Sequence, residues 1–346
     1  MSTPTHRGTT SVADEETGTT QEQTQPTGTS KRSAFQGMQT YRIAGVLSAL
    51  VAVFVIFTIL EPSFIKFDNI SEIVVQSSII AVVALGMTLV IVTGGIDLSV
   101  GSIVAVVSVV CATNLPHWGT PLTILIGLAL GAVMGLLNGA FTAYVGLASF
   151  IVTLATLNLY RGVAFLYTDG KPIFSISETF RNVFAGKLFG IQIPILLVLI
   201  ITALCAVMLS STRLGLSLRA VGSNTDASRK SGVRVKRAQA TAFVLSGLLS
   251  ALAALMLMGR VGAAEPITGT GYELIAIAAV VVGGTSLMGG RASVVGTLLG
   301  ALLLGAIRTG LTLHNVNPYV SYVVTGLIIL VAVLVDRFIS RKQRIA

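Results

Sequence analysis

Long apolar runs separated by short polar stretches fill this chain from residue 43 almost to its end. Each run has about 17–25 residues, the length that an α-helix needs to cross a hydrocarbon layer about 30 Å thick. Only 11% of the 346 residues are charged, whereas soluble domains carry about 25% charged residues. The pattern predicts an all-α fold, a polytopic bundle of transmembrane helices, and excludes an ordinary soluble domain.

The hydropathy pattern predicts about ten membrane spans, including broken or half helices. The runs at 99–113 and 273–288 are short and bounded by glycine, so one or both are expected to enter the bilayer without crossing it. The ten predicted spans are 43–60, 70–92, 99–113, 121–145, 148–168, 191–210, 238–258, 273–288, 293–313 and 319–336.

The ends of the chain differ in composition from its middle. Residues 1–42 are rich in Thr, Gln, Ser and Gly and have almost no large aliphatic side chains, so they cannot bury enough surface to offset the entropy lost on ordering. We expect a disordered N-terminal tail over 1–42, a transmembrane domain over 43–338 and a basic C-terminal tail over 339–346. A signal peptide would have its apolar core much nearer the start, so the first span is expected to be retained.

Lysine and arginine gather beside the apolar runs, before the first span, after the last span and in the loop 213–237. Cytoplasmic loops are enriched in these residues, so the loop and both termini are expected on the cytoplasmic side of a bacterial inner membrane. Six predicted spans before the loop and four after it agree with this orientation. The net charge of +9 is thus explained by topology, and we expect membrane lipid and no nucleic acid as a partner.

Motifs of catalytic and metal sites are missing from the sequence, which contains no GxxxxGK[ST], HExxH, CxxC or GxSxG. Cys111 and Cys205 lie inside apolar runs, which favours buried side chains over a disulfide or a metal ligand. We therefore expect no catalytic residue, no metal site and no cofactor, and in particular no ATPase site of its own.

One apolar run is broken at Gly94–Gly95, and an acid, Asp97, follows the break. Each glycine disfavours a helix by about 1 kcal/mol relative to alanine, and such breaks occur at membrane depth only where protein or a watery cavity satisfies the backbone. Asp97 followed by Ser99 can cap the next helix. It can in addition contribute to a pathway, as intramembrane carboxylates often do, and the residues alone leave both interpretations open.

A similar break recurs in the second half of the chain, where residues 283–290 match residues 94–101 as G-G-x-x-L-x-x-G. Paired interrupted helices are the best sequence indication of a transporter's central pathway. Glycines at 127, 131, 135 and 139 predict a close helix contact, and Asn138 beside them can hydrogen-bond across that contact or line a pathway. The candidate pathway residues are Thr93, Gly94, Gly95, Asp97, Asn138, Asn158, Glu273, Gly283 and Gly284.

The basic loop contains the signals of a short helix. Ser223 or Asn224 can cap its start, an acid, Asp226, lies in the first turn, and Gly232 can end it after two cations, Arg229 and Lys230. A capped helix within a loop favours a docking element for a cytosolic partner, although an ordinary solvated cytoplasmic loop is the alternative.

Four stretches in this order resemble the permease family of ribose-, xylose- and related sugar ABC importers: residues 85–105, 149–173, 219–235 and 271–302, among them GGIDLSVGS and RAVGSNTDASRKSG. The resemblance covers the chain from about residue 43 to its end. It implies a homodimeric permease for a monosaccharide, a cytosolic ABC ATPase subunit and an extracytoplasmic solute-binding protein. It also implies that the segment coupled to the ATPase includes Arg219, Ala220, Gly222, Asn224, Asp226 and Gly232.

Other transporters share parts of this pattern. A branched-chain amino-acid ABC permease has the same general layout, although the GGIDLSVGS stretch favours a sugar. An ion-coupled secondary carrier would need buried relay residues, for which Asp97, Glu273 and Arg308 are the candidates. Arg308 lies where the resembled family usually has Asn-Gly, and within a span it must pair or face water. A membrane scaffold without transport would not need broken helices, and the sequence does not name the solute.

Overall fold

The computed structural model describes residues 29–174, 176–317 and 319–345. The chain divides into two units, Met1–Met38 and Gln39–Ala346. In the first unit the described residues are helical. Residues 1–28 of the predicted tail lie outside the described residues, and residues 29–42 belong to the first helix, which thus begins before the predicted boundary at residue 43.

The described residues are helical throughout the bundle, with a single two-stranded hairpin in one loop, in which Lys187 pairs with Gln192. The prediction of an all-α polytopic fold is confirmed. In chain order the elements are α1 Thr29–Leu60, α2 Phe67–Ile91, α3 Val100–Ala140, α4 Ser149–Thr168, α5 Glu178–Ala185, β1 Lys187–Leu188, β2 Ile191–Gln192, α6 Ile193–Ser211, α7 Arg213–Ser223, α8 Thr225–Lys230, α9 Val235–Val261, α10 Tyr272–Val282, α11 Val294–Leu313 and α12 Val320–Ile345.

Seven helices in the described part of the chain are long and apolar enough to cross a membrane, and α10, with 11 residues, is shorter. One of the seven, Val100–Val145, consists of α3 and the π-helical turn Phe141–Val145 that continues it. It contains a non-helical residue, Gly119, with φ 67° and ψ 171°. Across Gly119, the Cys111 thiol donates to the Thr123 carbonyl at 3.6 Å. These residues would be about 18 Å apart on a straight helix, so the chain reverses at Gly119 into two arms. The predicted number of about ten spans stays a prediction.

The second arm of α3 packs against α9 through backbone. A Cβ atom added at Gly131 would lie 2.5 Å from the Gly247 carbonyl oxygen, and one added at Gly135 would lie 2.2 Å from that of Phe243. Both distances are too short for any side chain, so the predicted helix contact along these glycines is confirmed. The second half of α2 forms the centre of the bundle, where every residue from Ser77 to Ile91 is buried.

Candidate functional site

The break after α2 is a regular helix end that requires glycine. The Gly94 amide donates to the Ile91 carbonyl at 2.9 Å and the Gly95 amide to the Val90 carbonyl at 3.2 Å. Gly94 has a φ of 84°, the left-handed conformation that glycine adopts without strain. This is a Schellman motif, and it satisfies carbonyls that the end of α2 would leave unpaired at membrane depth.

The break after α10 has the same geometry. The Gly284 amide donates to Val281 at 2.9 Å and the Thr285 amide to Val280 at 3.1 Å, and Gly284 has a φ of 88°. The structural counterpart of Gly94 is therefore Gly284, one residue later than the sequence match predicted. Gly283 is needed for another reason, because a Cβ atom there would lie 2.4 Å from the Gly296 carbonyl oxygen on α11.

Asp97 lies in a closed polar cluster between the two helix ends of the first break. It is fully buried, and its Oδ1 accepts hydrogen bonds from the Ser99 amide at 3.0 Å and the Ser99 hydroxyl at 2.6 Å. Its Oδ2 accepts from the Ser246 hydroxyl of α9 at 2.9 Å. Asp97 therefore binds Ser99, the residue just before α3, and joins this break to α9. The start of α3 itself has no side-chain cap hydrogen bond, contrary to the capping interpretation.

Asn138 extends this cluster to the second arm of α3. Its Nδ2 donates to the Ser99 hydroxyl oxygen at 2.7 Å, and the side chain is fully buried. This bond goes to the residue before α3 and not across the glycine contact to α9, so neither of the two roles predicted for Asn138 is shown. Within the described residues its Oδ1 has no hydrogen-bond partner.

A cavity of about 460 Å³ lies next to the first break. Thr93, Gly94 and Gly95 line it, so three of the predicted pathway residues share one cavity wall. The volume is in the range of pockets that hold small molecules. The other lining residues are Thr142, Gly146, Leu147, Ala148, Ser149, Gln239 and Phe243.

A second cavity, of about 390 Å³, lies between α10, α11 and α12 and contains Glu273 and Arg308. Arg308 is exposed and lines this cavity. Asn158 lies apart from both cavities, on an exposed face of α4, where its Nδ2 donates to the Leu154 carbonyl at 3.0 Å. The predicted pathway residues therefore occupy several places in the bundle.

The basic loop contains two short helices, α8, which is the capped helix that the sequence predicted, and α7 before it, which was not predicted. Asn224 caps α8 by accepting from the Ala227 amide at 2.9 Å, and its own amide donates to the Ala220 carbonyl at 3.0 Å. Asp226 lies in the first turn of α8 and two cations in its last turn. Gly232 follows with a φ of 80°. Arg219 is half-buried, and its Nε has no partner among the described residues.

The end of α7 touches both helix breaks at one point, which we call the glycine junction: Gly222, Val92 and residues 289–290. The Gly290 amide donates to the Val92 carbonyl at 2.9 Å. A Cβ atom at Gly222 would lie 1.9 Å from that carbonyl oxygen and 2.6 Å from the Gly290 nitrogen. Three segments far apart in sequence thus meet through backbone alone.

Arg161, in the middle of the span Ser149–Thr168, is a residue that the sequence motifs did not predict. Its Nη1 donates to the carbonyls of Pro266 and Thr268, both at 2.7 Å. A cation inside a predicted span is itself a functional signal, and it could have identified this residue. Among the described residues, no three His, Cys, Asp or Glu side chains are grouped so that they could hold a metal ion.

Comparisons with known proteins extend these observations. A family model described as "Branched-chain amino acid transport system / permease component" matches residues 69–333. The ribose import permease protein of Haemophilus influenzae is 40% identical over 303 residues, 85% of this chain and 93% of that protein. The ribose import permease protein of Bacillus subtilis is 41% identical over 310 residues, 89% of this chain and 96% of that protein.

A third relative, the D-allose transport system permease protein of Escherichia coli, is 35% identical over 300 residues, 86% of this chain and 92% of that protein. No solved structure matches the chain. The similarity to sugar permeases that the sequence motifs indicated is confirmed.

Proposed function

The chain belongs to the family of branched-chain amino acid transport system permease components, and we propose that it is the transmembrane subunit of an ATP-driven importer of a monosaccharide. The observation that carries this proposal is the 40% identity to a ribose import permease over 85% of the chain. The relatives described above transport ribose and D-allose by name, which favours a sugar over a branched-chain amino acid. The chain is a permease subunit and not itself an enzyme.

The proposal assigns ATP hydrolysis to a cytosolic partner subunit that docks on α7 and α8. The surface of this segment is exposed and carries cations, among them Arg229 and Lys230. Its inner side meets both helix breaks at the glycine junction. A displacement of α7 by the partner would therefore reach the end of α2 and the loop between α10 and α11 directly, without an intervening flexible side chain.

We further propose that the cavity beside Thr93, Gly94 and Gly95 is the part of the pathway nearest the cytosol. The cavity adjoins the break after α2, and the same break forms the glycine junction with α7. Closure of the ATPase would thus change the shape of this cavity. In this proposal Asp97 and Asn138 set the position of the break, since both are fully buried.

A second copy of the chain is proposed to complete the permease, with solute delivered by an extracytoplasmic binding protein. The span of α4 is only 22% buried within one copy. Its exposed face includes a polar residue, Asn158, beside large apolar ones such as Leu159. A polar side chain facing lipid is unfavourable, which supports contact of α4 with protein or with the pathway.

The proposed topology has ten spans and both termini in the cytosol, in a bacterial inner membrane. The reversal at Gly119 supports two spans where the chain has one long helical stretch, and the short helix α10 is proposed to cross together with the break that follows it. Single cysteines at His117, an exposed residue beside the turn, and at Arg229, on α8, test this. Impermeant thiol reagents added to intact cells should label only the first, and labelling of Arg229→Cys from outside would refute the orientation.

The proposed function is tested by reconstitution in proteoliposomes with the partner ATPase and binding protein, using labelled ribose and D-allose. We expect uptake that needs ATP, and no uptake when the ATPase subunit is omitted. Uptake that persists without ATP and ends when an ion gradient is removed would instead show a secondary carrier. ATP-dependent uptake of leucine without sugar uptake would show an amino-acid permease.

A further inference from the structure

The chain between α9 and α10, residues 262–271, forms a series of turns that we call the re-entrant segment. At one end, Ala264 pairs with Ile173 through two backbone hydrogen bonds of 2.8 Å. At the other end the segment touches the first turn of α3, where a Cβ atom at Gly101 would lie 2.2 Å from the Gly269 carbonyl oxygen. Gly101 lies inside a membrane-spanning stretch, so irregular backbone reaches membrane depth here.

Backbone at this depth needs hydrogen-bond partners because lipid offers none. Arg161 of α4 supplies them, since one of its nitrogens donates to the carbonyls of Pro266 and Thr268 at 2.7 Å. Hydrogen bonds from a charged donor are about twice as strong as neutral ones. The span of α4 otherwise packs mainly against α3, so Arg161 is the residue through which this span holds the re-entrant segment.

Arg161 also has a second possible partner close by. The Glu273 carboxylate, in the first turn of α10, interacts electrostatically with Arg161. It also lies beside the re-entrant segment, because a Cβ atom at Gly101 would be 2.6 Å from Glu273 Oε2 and 2.2 Å from the Gly269 carbonyl oxygen. One guanidinium therefore faces two carbonyls that it binds and a carboxylate that can compete for it.

We propose that Arg161 is a positioning residue that holds the re-entrant segment in place through the carbonyls of Pro266 and Thr268. Exchange of the guanidinium to the Glu273 carboxylate releases the segment. For its place in a transport cycle this inference rests on the proposed function, in which such release lets the space beside the start of α3 open and close. The hold itself depends only on the contacts described above.

The test measures how fast a charged thiol reagent labels Thr268→Cys in purified protein in lipid nanodiscs, with Cys111 and Cys205 replaced by alanine. Thr268 is half-buried, and its carbonyl is unaffected by the change of side chain. Adding Arg161→Gln should raise the labelling rate about tenfold or more, because two charge-assisted hydrogen bonds are lost. Arg161→Lys keeps a charged donor, so its labelling rate should stay within about threefold of that of the parent, which is Thr268→Cys without Cys111 and Cys205.

For Glu273→Gln we expect the labelling rate to change in the opposite direction. It removes the competing charge, so labelling of Thr268→Cys should become slower than in the parent. Glu265→Cys, at an exposed position of the same segment, serves as a matched control and should label equally fast in every variant. A parallel sample that keeps Cys111, which is fully buried, detects unfolding, because this thiol reacts only when the bundle opens.

Unchanged labelling of folded Arg161→Gln would overturn the proposal. If that variant unfolds, the Glu273→Gln variant provides the test. Labelling of Thr268→Cys as fast with Glu273→Gln as without it would show that Glu273 does not compete for Arg161 and would refute the proposed exchange of the guanidinium. The assay needs neither solute nor ATPase. A labelling result that refutes the role of Arg161 would therefore not affect the proposal of sugar transport. A protein that does not transport sugar would likewise not affect the interpretation of the labelling result.

Discussion

Replacing Gly222 by alanine tests whether the glycine junction transmits force. The new Cβ atom would lie 1.9 Å from the Val92 carbonyl oxygen, whereas carbon and oxygen normally approach to about 3.3–3.6 Å. The surrounding atoms are backbone and cannot rotate away, so α7 must move by about 1.5 Å. Overpacking of this kind costs about 1–3 kcal/mol, and loss of the hydrogen bond from Gly290 adds about 0.5–1.5 kcal/mol.

The expected result is a loss of coupling between ATP hydrolysis and transport. A penalty of about 2 kcal/mol on a state that forms in every cycle slows uptake about 30-fold, while the partner ATPase still hydrolyses ATP. The assay is sugar uptake per ATP hydrolysed in proteoliposomes. Gly45→Ala, on α1, is the matched control, because no atom lies within 4 Å of its added Cβ, and it should behave as wild type. Normal uptake by a folded Gly222→Ala protein would refute the reasoning.

Three further changes test the local geometry, each by thermal unfolding of the purified protein. Asp97→Ala removes the acceptor of three buried hydrogen bonds and should destabilise the protein by about 2–4 kcal/mol; no change in the melting temperature would exclude a structural role. Gly284→Ala places a side chain at a φ of 88° and should destabilise by about 1–2 kcal/mol, which an unaltered melting curve would contradict. Asn224→Ala removes the cap of α8 and should destabilise by about 1 kcal/mol, with Asn224→Ser expected to restore stability.

Local features of the fold could be predicted from the sequence because they depend on neighbouring residues. The cap, charges and stop of α8 lie within nine residues of one another, from Asn224 to Gly232. The break at Gly94 was evident for the same reason, since two adjacent glycines disfavour a helix even within an apolar run. The contact between α3 and α9 followed from glycines at a regular spacing of one helical turn.

Features that join distant residues were not predictable in the same way. Arg161 meets Pro266 and Thr268 more than 100 positions away, and no local pattern relates them. The sequence match between the two breaks differs from the structural match by one residue. The sequence does not distinguish a glycine required for a positive φ, Gly284, from one required for close approach of two backbones, Gly283. The apolar span of α1, Ile43–Leu60, agrees with the predicted span 43–60. The helical extension over residues 29–42 could not be predicted, because these residues lack the apolar character on which span prediction depends.

The backbone contact between the second arm of α3 and α9 has a mechanical consequence. Helices that meet through long side chains can slide, as side chains change rotamer, but Gly131 and Gly247 bring the two backbones into contact, and the nearest side chain is the methyl group of Ala251, which has no rotamers. Any relative shift would drive one carbonyl into the other backbone, so this pair should behave as a single stiff body. The displacements of a working cycle must then be taken up by the elements around it, and spectroscopic distances between labels on these two helices should stay constant while distances from α9 to α4 or α7 vary.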